Sequence, residues 1–153
     1  MTQPPTEPTP PAVLVDQKRG SSYPDLPQGW GAVEVTFDFD SLIAVEENGT
    51  LIAESPNWGT WVDPPTLTID GNERRASWSV WAYPLPAGPH TVRFGTPGFA
   101  ERRVEIAAGQ IARIKYHADI AFHKDKADDI LGGPVRETTA TVKVRALKSR
   151  PAR

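Results

Sequence analysis

Between Leu85 and Tyr116 the chain is punctuated by glycine at nearly equal intervals, and that spacing limits the folds open to it. Gly88, Gly98 and Gly109 stand 10 and 11 residues apart. Between them apolar side chains recur every second residue. His90–Phe94 sends Val92 and Phe94 to one side, and Glu101–Ile106 does the same with Val104 and Ile106. Ile111–His117 puts Ala112, Ile114 and Tyr116 on one face and Arg113 and Lys115 on the other. A period of two is the mark of a half-buried strand, because successive side chains leave a strand on opposite faces. Turns this closely spaced leave no room for crossover helices, so they point to a sandwich or barrel rather than βαβ units. No window of eleven or more residues carries a 3.6-residue apolar period, and no substantial helix is expected.

The same period extends in both directions. Val33, Val35, Phe37 and Phe39 alternate with Glu34, Thr36, Asp38 and Asp40. Asn48-Gly49 tolerates positive φ at both positions, as a type I′ turn requires, which predicts a hairpin of Leu42–Glu46 with Thr50–Glu54. Ser55–Pro65 reads as a loop carrying Trp58 and Trp61. Thr66–Asp70 is a strand that stops at Asp70-Gly71-Asn72, a turn sequence. Trp78–Tyr83 is the next strand, ended by Pro84 and Pro86, since proline has no N–H for a central ladder. Ile120–His123 reads as a short last core strand. Lys124–Gly133 reads as an exposed loop. Thr139–Leu147 alternates again and suits an edge strand whose outward Lys143 and Arg145 protect it from pairing.

With 153 residues there is room for one domain. Residues 1–29 hold seven of the sixteen prolines and read as a flexible or polyproline II arm, with Ala12–Val15 as a short strand or docking segment. Residues 30–134 are the expected β-sandwich, and 135–153 a basic C-terminal strand and tail. The body carries 9 basic and 15 acidic side chains, the tail 6 basic and 1 acidic. An acidic body argues against nucleic-acid binding, which needs a basic one. There is no cysteine, hence no disulfide frame and no thiolate chemistry. No apolar run is long enough for a membrane span, and the first residues lack the basic head and apolar stretch of a secretory signal. The expected location is cytoplasmic; a phage or virion structural component would have the same profile.

The order Pro64-Pro-Thr-Leu-Thr-Ile-Asp-Gly-Asn, Tyr83-Pro-Leu-Pro-Ala-Gly-Pro-His-Thr-Val, Pro97-Gly-Phe and Ala107-Ala-Gly-Gln resembles the PEGA-type domains, which are small immunoglobulin-like β-sandwiches. With the Tyr116-His-Ala118 exit and the following Phe122, it is also similar to actinobacterial immunoglobulin-like domains. The resemblance covers about Pro64–Phe122. It implies an immunoglobulin-like antiparallel sandwich with an adhesive or spacer role, and it carries over no functional residues. The stretch Glu73–Val80, with its Trp78, departs from the short link usual in the pattern.

Candidate chemistry is sparse. His117, Asp119 and His123 share one strand face, and two imidazoles with a carboxylate suit zinc in ligand type. Strand ligands ordinarily sit two residues apart, however, so the expectation is hydrogen-bonded surface histidine and no metal. Asp38/Asp40, Glu46/Glu47 and the Asp125, Asp128, Asp129 group read as solvent-facing. General acid–base work needs carboxylates in contrasting, partly buried settings, which these lack. Nucleotide-binding glycine motifs and the nucleophile elbow are absent from the sequence. No catalytic residue and no cofactor is expected.

Four of the five tryptophans fall between residues 58 and 81. Trp78 and Trp81 are three apart in an expected strand, which would send them to opposite faces. An outward aromatic offers large contact area at low entropic cost. The candidate interface is therefore Trp58, Trp61 and Trp81 with the basic Lys143 and Arg145. The expected role is a non-enzymatic binding or scaffold module, with a protein partner or self-association. The alternative is a carbohydrate-binding module that stacks sugars on exposed tryptophan.

Overall fold

The computed structural model describes residues 11–15, 26–56, 62–125 and 140–150, with Lys124 and 140–150 described as backbone. The described residues are strands and turns, with no helix and so none long and apolar enough to cross a membrane. The strands are β1 (Val13–Leu14), β2 (Trp30–Glu47), β3 (Thr50–Pro56), β4 (Leu67–Ile69), β5 (Asn72–Arg74), β6 (Val80–Pro86), β7 (Gly88–Phe94), β8 (Ala100–Ile106), β9 (Ile111–Asp125) and β10 (Ala140–Arg150). They form two sheets. One runs β1-β6-β2-β9-β10, with β3 also paired to β2; the other runs β5-β4-β7-β8. All pairings but one are antiparallel: β2 and β9 run parallel from Ala32↔Ile111 to Glu46↔Asp125.

The two-residue period decides what lies between the sheets. Val33, Val35 and Phe37 of β2, Trp81, Tyr83 and Leu85 of β6, and Ile114, Tyr116 and Ile120 of β9 face Leu67, Ile69, Val92, Phe94, Val104 and Ile106 of the smaller sheet. Phe94 stacks on Tyr116 with ring centroids 4.4 Å apart, and Phe37 meets Phe94 edge-on at 5.8 Å. These contacts join the layers at the centre of the core. The Tyr116 hydroxyl donates to the Gly98 carbonyl at 2.6 Å and accepts the Gly98 N–H at 3.0 Å. The long strand of one sheet thus holds the β7–β8 turn of the other by both of its backbone groups.

Two glycine turns have the geometry their sequences demand. Asn48 and Gly49 take φ of 54° and 79°, and register closes at Glu47↔Thr50. Asp70 and Gly71 take 53° and 82°, and register closes at Ile69↔Asn72. A positive φ at both central positions matches the right-handed twist of the flanking strands, which is why Asn-Gly and Asp-Gly sit there.

Several elements differ from the sequence expectation. The strand expected at Val33–Phe39 and the first hairpin strand are one continuous β2. Ile111–His117 and Ile120–His123 are likewise one continuous β9. The purely antiparallel arrangement gives way at the β2–β9 pair, the first long strand bonding beside a late one. Pro84 and Pro86 lie inside β6 rather than ending it. The Val80 carbonyl accepts from Val15, so even-numbered residues of β6 direct their backbone groups away from β2. Among the described residues β1 pairs with nothing in β6 beyond Trp81 and Ala82, so the missing proline N–H groups cost no hydrogen bond to it. The Ala12–Val15 segment does dock, with β1 pairing on that edge. β10 occupies the opposite edge against β9, and a register shift between Val144 and Leu147 interrupts the expected alternation. It extends to Arg150, three residues beyond the expected end at Leu147. The loop expected over Lys124–Gly133 starts later, since Lys124 and Asp125 still belong to β9, and residues 126–133 lie outside the described residues.

Candidate functional site

β2 and β9 outlast their neighbours. β6 covers one edge of β2 only as far as Thr36. From Leu42 onward that edge is taken by β3, which hydrogen-bonds to β2 alone among the described residues. All seven residues of β3 are exposed, and Leu51 and Ile52 keep about half their surface in water, at 50% and 47%. The strand owes its position to the Asn48-Gly49 turn, which folds it back on β2 without any core contact of its own.

The outer face of the β2–β9 pair carries a cluster of polar side chains. Parallel register sets Asp38 opposite His117 and Asp40 opposite Asp119. The inward neighbours Tyr116 and Ala118 are buried, so His117 and Asp119 must face outward. His117 Nδ1 hydrogen-bonds to the Asp38 carboxylate. Its Nε2 stands 3.3 Å from Asp40 Oδ2 and 3.4 Å from Asp119 Oδ1. Lys115 Nζ lies 3.5 Å from the second Asp38 oxygen. Further along the same face, Glu34 is buried and pairs with Arg113 Nε at 3.2 Å. His123 shares the face but pairs with Glu46, at 3.6 Å. Four residues of strand, about 13 Å, separate it from Asp119.

A second histidine is held at the far sheet. His90 Nδ1 meets Asp70 Oδ2 at 2.5 Å and its Nε2 meets the Pro86 carbonyl at 2.7 Å. Asp70 also accepts the Thr91 N–H at 2.9 Å. Burial pushes the Asp70 carboxyl up, but the His90 and Thr91 hydrogen bonds and the His90 charge outweigh it and hold it below its ordinary 3.8. His90, inside β7, thus braces the Asp70-Gly71 turn.

The expected tryptophan interface is corrected at Trp81. It lies in the core at 7% exposure, and its indole N–H donates to Ser77 Oγ at 2.8 Å. Arg75 covers part of the ring, with its guanidinium carbon 5.6 Å from the centroid. Trp78 does not take the opposite face. It precedes β6 in a bend, where strand alternation does not hold, and packs on Phe39 at 4.6 Å. Its N–H donates to the Asp63 carbonyl at 3.0 Å. Trp58 and Trp61 lie outside the described residues. Lys143 is in register with Asp119, and Arg145 falls within the register shift of β10.

Sequence reasoning separated the members of the outer cluster. Asp38 and Asp40 read as a solvated pair, and His117 as a partner of His123. The usable signal was the i, i+2 spacing of polar residues on both strands. What joins the two pairs is a parallel register between segments 79 residues apart in the chain, and no local pattern encodes it. No known family model, curated protein or solved structure matches the chain.

Proposed function

We propose that this chain is a non-enzymatic binding or structural module that acts through protein–protein contacts, with β3 as the contact edge and a second copy of the chain as its first partner. The observation that carries this is the contrast between β3 and the other edge strands. β5 carries Glu73 and Arg74, β8 carries Glu101, Arg102, Arg103 and Glu105, and β10 carries four basic residues along its sequence. Charges of this kind keep edges from pairing. β1 is only two residues long. β3 offers Leu51, Ile52 and Ala53 with a single charge, Glu54. Two such strands can pair antiparallel about a two-fold axis, each satisfying the other's free backbone groups. The resemblance to PEGA-type domains agrees with an adhesive or spacer role.

Light scattering on the full chain across a concentration series tests the reading. A concentration-dependent rise in mass that Ile52→Lys abolishes, with the variant's thermal melt unchanged, is the expected result. A chain that stays monomeric throughout, or one whose association ignores Ile52→Lys, rejects it.

A further inference from the structure

We infer that Asp40, His117 and Asp119 form a binding site for a divalent transition-metal cation of the zinc class, with Asp38 orienting the histidine. One ligand atom from each of the three lies within 4.8 Å of the other two. The spacing at His117 is more telling than the proximity. A charge-assisted N–H to carboxylate bond closes to roughly 2.7–2.9 Å. Here Nε2 stands off both carboxylates, at 3.3 and 3.4 Å. Tetrahedral ligands on a zinc ion, with bonds of about 2.0–2.1 Å, stand roughly 3.3–3.4 Å from one another. The nitrogen thus stands at ligand-to-ligand spacing from both oxygens, and the contact to Asp119 is at most a long hydrogen bond.

The surrounding groups complete the chemistry. A metal-binding histidine commonly gives its other ring N–H to a carboxylate, which fixes the tautomer and turns the remaining lone pair toward the ion. Asp38 stands in that position at Nδ1. Asp40 and Asp119 are directly opposed on one sheet face, and a cation held between them would relieve the repulsion of like charges so placed. Lys115 offsets one of the three carboxylates, at 3.5 Å from Asp38. Three protein ligands leave a fourth position, and the Asp40 side chain, 70% exposed, leaves it open to solvent. All four side chains rise from two hydrogen-bonded strands, so the site is preformed. It lies on the sheet face, apart from the β3 edge, and does not depend on self-association.

The test is calorimetric titration of the full chain, stripped with chelator, with zinc ion at neutral pH, together with thermal melts. The expected result is saturable binding of one ion per chain and a melting temperature that rises with zinc. Asp40→Asn and Asp119→Asn each weaken binding by at least about tenfold, and Asp38→Asn weakens it by about 10–100-fold as an outer-shell change. His123→Gln leaves binding unchanged. Asp40 is exposed, so its variant melts like the parent in chelator and reports binding without unfolding. Cobalt in place of zinc gives the strong visible bands of a tetrahedral site. Absence of saturable binding overturns the inference. So does binding that survives both Asp40→Asn and Asp119→Asn, or that is lost on His123→Gln.

Discussion

Single residues set the tolerance of this fold. Gly31 is the tightest glycine among the described residues: a Cβ there would stand 2.4 Å from the Ala107 carbonyl oxygen, 2.6 Å from Ile106 Cγ2 and 2.7 Å from the Gln110 carbonyl oxygen. Two of these obstacles are backbone, so β2 itself would have to move away from the β8–β9 turn. Gly31→Ala is expected to destabilise by about 1–3 kcal/mol or more, measured by urea unfolding. Tyr116 is buried, and burial pushes its phenol up, with the Gly98 hydrogen bond partly offsetting it. Tyr116→Phe keeps the ring stack but strands the Gly98 backbone groups, at an expected cost of about 1–3 kcal/mol. Asp70 supplies the acid limb. Its folded pKa is lowered, so its contribution is fully present above the ordinary 3.8 and is lost as pH falls through the lowered value. Thermal melts of the parent and of Asp70→Asn should differ at neutral pH and converge in acid below that value.

At the scale of elements, hairpin closure and sheet edges govern behaviour. Gly49 holds φ of 79°, a region that costs an L-residue about 1–2 kcal/mol. Gly49→Val is expected to loosen the β2–β3 hairpin while leaving the core intact, because β3 buries nothing. Hydrogen exchange should then accelerate in Thr50–Pro56 and not in β7 or β8. The fate of proline in β6 shows what local pattern misses. In a central ladder Pro84 and Pro86 would end the strand. They are tolerated because, among the described residues, one side of β6 has no partner there. Edge or centre is a property of the sheet, not of the segment.

At the scale of the molecule, the parallel β2–β9 pair is the spine, with register from Ala32 to Glu46. β10 protects its outer edge along β9 from Phe122 to Arg113. Removing residues 140–153 would leave that whole edge open, and an open edge is a template for intermolecular pairing. The truncated chain is expected to melt lower and to aggregate on heating, followed by light scattering during a thermal ramp.

The chain's own order of residues decided the strand class, the inward faces and the two-residue turns. Each depends on interactions within a few positions: alternation of Val92 with Phe94, or positive φ at Asn48-Gly49. Tertiary structure alone decided which strands became neighbours. It merged the Val33–Phe39 strand with the hairpin, buried Trp81, turned Trp78 inward at a bend, and set Asp38 and Asp40 against His117 and Asp119. The reason is that periodicity assigns a side chain to a face but says nothing about what lies across from it. Pairing is settled by the joint burial of both sheets, and in this protein it joined two distant strands in parallel.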